Sequence, residues 1–236
     1  MSSVSCSVFT KTNAIMAQIF RKSGNSFARA TLIGIVACFF GFWAVVYGVY
    51  WSSYTTDENI PRRQPVPFSH KHHVSGLGLD CRYCHTTVEK TSFAGIPPTE
   101  TCMTCHSQVW RDAPVLEPVR NSLAASKPLE WNRVNQLPDF VFFNHSIHVK
   151  KGVGCSDCHG PVNQMPITWK AHALYMRWCL ECHANPEQRL RPPDKIFDMN
   201  WTAPSNQVEL GQQLIKTYHI SKQRLDQLRD CSMCHR

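Results

Sequence analysis

The residues with the clearest chemistry are ten cysteines and five histidines that recur as one pentapeptide, Cys-x-x-Cys-His. Two thiols at this spacing can form thioether bonds to the two vinyl groups of one haem, and the adjacent histidine can reach the iron. The sequence therefore predicts five covalently bound haems c. The thioether cysteines would be Cys81, Cys84, Cys102, Cys105, Cys155, Cys158, Cys179, Cys182, Cys231 and Cys234, and the proximal iron ligands would be His85, His106, His159, His183 and His235.

Other uses of paired cysteines fit this pattern less well. A zinc site would combine two Cys-x-x-Cys halves and would not need a histidine after each second cysteine. A thioredoxin-like dithiol would occur once, near a βαβ pattern. Disulfides would not favour the pentapeptide at all. Five copies that use ten of the twelve cysteines indicate haem attachment.

The chain also contains an internal repeat that supplies candidate distal iron ligands. The pattern Phe-x-His-x-x-His occurs at residues 68–73 and 143–148, each time ahead of two haem motifs. The two copies are offset by 75 residues at the first histidine and by 74 residues at the first cysteine. This regularity predicts a duplicated two-haem module.

Each repeated histidine pair is predicted to ligate the two haems of its own module. Residues three apart share one helical face, yet the two side chains would reach different irons. His70 and His73 are assigned to the first module, and His145 and His148 to the second. His72 has no counterpart in the second copy, so we expect it to be exposed.

The distal ligand of the fifth iron stays open on spacing alone. His219 lies 12 residues before the last motif, close to the spacing of the other distal candidates from theirs. His172 is also within reach, as are Met165 and Met176. A thioether ligand would raise the haem potential, although methionines more often fill apolar gaps.

One segment is predicted to hold these elements at a membrane. Residues 30–51 contain no charged side chain and are long enough to cross a bilayer as one helix. Basic residues precede the segment and the first acidic residues follow it. This predicts a single-pass anchor with a cytoplasmic N-terminus and a periplasmic haem domain. A cleaved signal peptide is disfavoured by the length of the apolar run and the lack of a small-residue cleavage site.

The formal charge of +8 does not indicate a nucleic-acid partner. Four of the 25 basic residues precede the apolar segment, and the rest are nearly balanced by 17 acidic residues. Two propionates on each haem would offset the remaining excess. No basic stripe with interleaved aromatic residues stands out.

The predicted fold is mostly irregular with short α-helices, a multihaem cytochrome c domain built around five haems with one N-terminal transmembrane helix. The 15 prolines agree with sparse regular structure. The best helical candidate in the haem domain is residues 207–229. The predicted segments are a cytoplasmic N-terminal segment (1–29), the anchor helix (30–52), a linker (53–67), a first dihaem module with a connecting loop (68–141), a second dihaem module (142–205) and a C-terminal helix with the fifth haem motif (206–236).

The combined motifs resemble one family. The anchor, FSHKHH…CRYCH…CMTCH, FFNHSIH…CSDCHGPVNQMP…MRWCLECH and a terminal CSMCHR are similar to the class III-type pentahaem cytochrome subunit of alternative complex III, a quinol:electron-acceptor oxidoreductase. The resemblance implies an iron–sulfur subunit as electron donor and a monohaem cytochrome c or another soluble protein as acceptor. It also favours Met165 or Met176 as the fifth distal ligand.

The predicted function is electron transfer without a catalytic site in this chain. Irons with both axial positions filled leave no place for a substrate. One apolar helix is too little to build a quinone site, so we expect multi-helix quinol-binding membrane subunits as partners, with the acceptor a periplasmic cytochrome or copper protein. The alternative is a quinol dehydrogenase of the NapC/NirT type. A multihaem reductase would need an open haem, and a purely structural protein would not need five cofactors.

Overall fold

The computed structural model describes residue 21 and residues 23–235, in two compact units that divide after Ser52. The predictions for residues 1–20, for Lys22 and for Arg236 lie outside the described residues.

The first unit contains one long helix, α1, over Gly24–Tyr50. It begins six residues before the predicted start, because the basic and polar residues ahead of the apolar run also extend the helix. None of its residues is buried, and its length and composition suffice to cross a membrane. A signal sequence would have the same properties.

The second unit is built from short helices joined by irregular segments. Its α-helices, among the described residues, are α2 (Ser53–Thr56), α3 (Cys81–Cys84), α4 (Thr99–His106), α5 (Glu117–Ala125), α6 (His145–Lys150), α7 (Cys155–His159), α8 (Met176–Ala184), α9 (Gln207–Thr217), α10 (Lys222–Gln227) and α11 (Cys231–Cys234). A π-helical turn covers Lys71–Gly76, and 3₁₀ turns cover Pro114–Leu116, Val162–Gln164, Pro186–Gln188 and Pro193–Lys195.

Residues 23–235 contain no β-strand, only three isolated bridges. Proline lacks the backbone N–H that a strand ladder needs and cannot continue a helix. Two of the 3₁₀ turns begin directly after Asn185 and Pro192, where prolines interrupt the chain. The predicted fold class, short helices with much irregular structure, therefore agrees with the structure.

Two segments are more ordered than we expected. The connecting loop at 110–141 contains α5, whose Val119 is buried against Val66 and Leu116. The linker is also packed against the haem domain, since Asn59 N donates to Lys170 O at 2.8 Å and Thr56 is 3% exposed. Both segments acquire structure from contacts with distant residues, which local composition does not show.

The predicted C-terminal helix is interrupted. α9 ends at Thr217 and α10 begins at Lys222. His219 between them has a φ of 50°, a left-handed conformation that ends a helix. The interruption turns the chain towards the last haem motif.

The protein core of the second unit is small. One buried cluster is formed by Val66, Leu116 and Val119, and another by Val88, Val149 and Ile196. The described residues include nine buried hydrophobic side chains in all. A unit of this size usually has one larger core, so much of its apolar interior must come from something other than side chains.

Candidate haem sites

Each Cys-x-x-Cys-His motif lies on or at the end of a short helix. α3, α4, α7, α8 and α11 each carry one motif, and three of them start at its first cysteine. A helix brings residues three apart onto one face. The two thiols of each motif therefore point in a similar direction, with the histidine directly after them. This local geometry suits thioether attachment of one haem per motif.

The motif histidines are oriented by bonds to their Nδ1 atoms. Nδ1 lies 2.6 Å from Gly95 O in His85, 3.0 Å from Val109 O in His106, 2.9 Å from Leu228 O in His183 and 3.3 Å from Phe140 O in His235. A carbonyl partner fixes the proton on Nδ1. Nε2 then keeps the lone pair that a metal needs.

The fifth motif histidine, His159, is oriented by a side chain. Its Nδ1 lies 3.0 Å from Asn135 Nδ2, while Asn135 Oδ1 is buried without a hydrogen-bond partner. Turning the amide by 180° places Oδ1 against His159 Nδ1, so that Oδ1 accepts a hydrogen bond from the ring N–H. His159 then matches the other four motif histidines, with Nε2 free for iron.

The four repeated histidines show the same feature. Nδ1 lies 3.0 Å from Thr168 Oγ1 in His70, and it bonds to carbonyls at 2.8 Å in the other three: Ser69 O for His73, Ser92 O for His145 and Asn144 O for His148. Among the described residues, no comparable Nδ1 bond is formed by His72, His172 or His219. The orientation of Nδ1 thus separates nine histidines from the other three.

Three pairs of these rings have the separation expected across an iron. The ring centroids are 6.2 Å apart in His73–His106, His145–His159 and His148–His183. Metal–nitrogen bonds of about 2 Å on both sides, with each centroid roughly 1 Å beyond its nitrogen, place two trans imidazoles about 6 Å apart. The residues therefore fit bis-histidine haem iron.

The two modules repeat this geometry in detail. Phe68 stacks on His73 at 4.4 Å and meets His70 edge-on at 4.9 Å. In the second copy, Phe143 stacks on His148 at 4.5 Å and meets His145 edge-on at 4.7 Å. The phenylalanine of each repeat thus packs against both imidazoles and restricts their orientation. The sequence interpretation missed this role, although the residue recurs in both copies.

Burial keeps several imidazoles neutral. Desolvation, with smaller effects from neighbouring histidines, lowers the pKa of His70 and of His159 to about 4. It also lowers the pKa of His148. A neutral ring retains the Nε2 lone pair at neutral pH. Among the neighbouring charges, that of His85 lowers the pKa of His70 most.

A buried ion pair supports the third motif. Arg191 Nη2 lies 2.8 Å from Asp157 Oδ1, with side-chain exposures of 5% and 16%, and also 2.8 Å from Ser156 Oγ. Asp157 Oδ2 in turn accepts from Gly154 N at 3.0 Å. A Cβ at Gly154 would overlap the Arg191 guanidinium, so a larger residue there would push the arginine away from Asp157. No motif in the sequence indicated this pair, because its members are separated by 34 residues.

The candidates for the fifth distal ligand do not converge on the last motif. Met165 has no exposed surface and lies beside Gly160, so protein atoms surround its thioether. Met176 is 57% exposed at the start of α8. His172 stacks on Trp178 at 5.3 Å, and His219 is exposed. The burial of Met165 favours a packing role, and the fifth ligand stays a prediction among these four residues.

The predicted exposure of His72 is confirmed, although the ring is not isolated. It is exposed and stacks on Trp110 at 6.0 Å.

Comparisons with known proteins indicate the class of protein to which the chain is similar. A family model for cytochrome c552 matches residues 132–233, and a model for the class III cytochrome C family matches residues 50–115. The chain is 36% identical over 126 residues to the multiheme cytochrome c subunit of a menaquinone reductase from Nitratidesulfovibrio vulgaris, covering 53% of this chain and 55% of that one.

Shorter matches involve cytochromes c-552. Identity is 29% over 90 residues with the protein from Porphyromonas gingivalis and 30% over 94 residues with one from Bacteroides fragilis. These cover 35% and 37% of this chain but only 18% and 19% of those proteins. The chain thus spans about half of the first relative and less than a fifth of the cytochromes c-552. The matches support a multihaem c-type cytochrome.

Proposed function

We propose that this chain is a membrane-anchored pentahaem cytochrome c that conducts electrons within a quinone-linked complex. The observation that carries the proposal is the set of three histidine pairs with centroids 6.2 Å apart, each joining a motif histidine to a repeated histidine. His70 and His85 would form the fourth pair, because the repeat places them as the counterparts of His145 and His159. The last motif would hold the fifth haem through Cys231, Cys234 and His235.

The bound haems supply one-electron redox chemistry. The motif cysteines would attach each macrocycle and the histidines would ligate its iron, and these ligands together with burial would set its potential. Because two histidines would fill both axial positions of four irons, these sites offer no place for substrate. The proposed role is therefore conduction between partners.

The proposed partners follow from the resemblance and from the size of the anchor. Electrons would come from an iron–sulfur subunit and from multi-helix subunits that bind quinol. They would leave to a monohaem cytochrome c or another soluble acceptor. The anchor α1 would place the haem domain on the periplasmic side of the cytoplasmic membrane.

A second direction of flow is favoured by one relative. The match over 53% of the chain is to the cytochrome subunit of a menaquinone reductase, an enzyme named for transferring electrons to the quinone. The same haem series could carry electrons towards quinone, since conduction through it is reversible and the direction is set by the potentials of the partners. The quinone link is common to both candidates.

The test is purification in mild detergent, followed by haem staining, mass analysis and redox assays. Five haems per chain, in an assembly with an iron–sulfur protein and multi-helix subunits, support the proposal. Reduction of the haems by a quinol analogue indicates quinol oxidation. Reduction of a quinone analogue by pre-reduced haems indicates the second direction. A chain purified alone that quinol reduces directly would instead be a NapC/NirT-type dehydrogenase.

A further inference from the structure

We propose that the five haem motifs form one line whose order differs from their order in the chain: 102–106, 81–85, 155–159, 179–183 and 231–235. Electrons would then enter and leave at the motifs 102–106 and 231–235. The inference rests on the proposed function, in which each motif holds a haem. It adds the path between the haems and the two terminal sites.

The first link joins the motifs 102–106 and 81–85 directly. Tyr83, inside one motif, has its hydroxyl 2.9 Å from Thr104 Oγ1, inside the other. The thiol of Cys84 also lies close enough to Cys102 and Cys105 to be affected by their charges. The helices α3 and α4 are therefore neighbours.

The second link joins the motif 81–85 to the motif 155–159 of the other module. The guanidinium of Arg82 lies 4.4 Å from the Phe197 ring centroid, and Cys155 N donates to the adjacent Ile196 O at 3.2 Å. Val88, which follows the motif 81–85 closely, also packs against Ile196 in one buried cluster. The two modules thus meet through the first motif of each.

The third link is made by the single helix α6. His145 and His148 lie three residues apart on it, and their rings pair with His159 and His183 respectively. One helical turn therefore connects the motifs 155–159 and 179–183. The first module has the same arrangement, with His70 and His73 serving the motifs 81–85 and 102–106.

The fourth link joins the motif 179–183 to the chain end. His183 Nδ1 donates to Leu228 O at 2.9 Å, three residues before the last motif. Cys179 also lies near enough to Cys234 to be affected by its charge. No hydrogen bond among the described residues joins the motif 102–106 to any of the last three motifs. The last motif is further held beside the second module by the segment ahead of α6, where Phe142 N donates to Cys234 O at 2.8 Å.

The exposure of the cysteines independently marks the same two ends. Of the ten motif cysteines, only Cys105 and Cys231 are exposed, and they belong to the first and last motifs of the proposed line. The inner motif 155–159 is more enclosed, since its Asp157 forms an ion pair with Arg191 in which the side chains are only 16% and 5% exposed. A terminal haem needs an approachable edge to exchange electrons with a partner, whereas an inner haem does not.

The order is tested with nitroxide labels on the full five-haem protein in detergent. Gln108 follows the motif 102–106, and Gln223 lies on α10, where Arg224 Nη1 contacts Met233 Sδ at 3.9 Å in the last motif. Both glutamines are exposed. The labelled proteins are Gln108→Cys and Gln223→Cys, each with Cys6→Ser and Cys38→Ala. Pulsed electron paramagnetic resonance measures how strongly the oxidised haems accelerate nitroxide relaxation.

Two haem-loss backgrounds complete the design, one with Cys102→Ser and Cys105→Ser, the other with Cys231→Ser and Cys234→Ser. We expect the first to slow relaxation several-fold at the Gln108 label and to leave the Gln223 label unchanged. The second should have the opposite effect. A third background, Cys81→Ser with Cys84→Ser, should affect the Gln108 label more than loss of the last haem does. Equal responses of both labels to either terminal loss would overturn the proposed order.

Stepwise reduction of the protein with all five haems provides a second measurement should a variant fail to fold. A reduced low-spin haem no longer accelerates relaxation, so the two labels should respond to different reduction steps. If both labels respond to the reduction of one and the same haem, identified by the loss of its own electron paramagnetic resonance signal, the order is wrong. The haem count separates the two hypotheses: fewer than five haems per chain contradicts the proposed function, whereas five haems with the wrong label response contradicts only the order.

Discussion

At the level of single residues, the nine proposed axial histidines are held through Nδ1 before any metal is considered. Their partners are mostly backbone carbonyls, such as Ser92 O for His145 and Gly95 O for His85. Such outer contacts fix the tautomer and the ring plane and make the ligand more basic. The groups that hold Nδ1, most of them backbone carbonyls, are therefore as important for the ligand geometry as the imidazoles themselves.

Replacing His145 with alanine should leave its haem attached but change its spin state. The thioether bonds would come from Cys155 and Cys158, whereas the imidazole opposite His159 would be lost. We expect one low-spin bis-histidine signal to disappear from the electron paramagnetic resonance spectrum at unchanged haem content. His72→Ala is the matched control, since this exposed ring has no proposed iron. An unchanged spectrum in His145→Ala would refute the ligand assignment.

Replacing Arg191 with methionine should destabilise the protein. The change leaves Asp157 buried without its partner, and removing one member of a buried ion pair typically costs about 3–5 kcal/mol. Urea unfolding of the haem-loaded protein measures the loss. Lys195→Met is the control, because its pairs with Asp194 and Asp198 are partly exposed and should be worth about 0–1 kcal/mol. A similar decrease in the free energy of unfolding in both variants would show that the buried ion pair stabilises the protein no more than the exposed pairs do.

At the level of elements, the short helices serve mainly to present the motifs. A side-chain cap begins α3 at Asp80, which accepts from Arg82 N, and α6 at Asn144, which accepts from Ile147 N. Helices this short are not stable in isolation, so their caps and tertiary contacts maintain them. We expect their order to depend on the haems that they bind.

Replacing Gly211 with alanine should disturb the packing of α9. A Cβ there would overlap the Glu187 carbonyl in the 3₁₀ turn beneath the helix. Overpacking costs about 1–3 kcal/mol, which exceeds the roughly 1 kcal/mol that alanine gains over glycine in a helix. Thermal unfolding should show a lower midpoint. The control is Gly76→Ala, where the nearest atom would be at 3.8 Å. An unchanged unfolding midpoint in Gly211→Ala would show that α9 and the Glu187 carbonyl can move apart without loss of stability.

At the level of the whole molecule, the chain consists of an apolar helix and a separate unit that begins at Ser53. Removing residues 1–52 behind a cleavable signal should give a water-soluble, haem-loaded protein. The cut precedes Thr56, which is buried in the second unit and should stay with it. Flotation with protein-free liposomes measures the result. Binding of the truncated protein to bare lipid would contradict the single-anchor hypothesis.

The sequence by itself determined the features that depend on local spacing. Each of these features lies within a short stretch of the chain, so local spacing is enough to predict it. They are the five pentapeptides, the two Phe-x-His-x-x-His copies and the uncharged apolar run. The repeat also predicted that each histidine pair serves its own module, but it did not predict which histidine faces which motif. The exact helix limits were not predicted either, because α1 extends beyond the apolar residues.

Tertiary structure alone decided the features that join distant parts of the chain. Asn135 reaches His159 across 24 residues, and Ser92 reaches His145 across 53. The helix α5 and the packed linker likewise depend on partners far along the sequence. The proposed spatial order of the motifs belongs to the same class, since in it the first module runs opposite to its chain order. No local periodicity encodes such contacts, because they arise only when the folded chain brings their partners together.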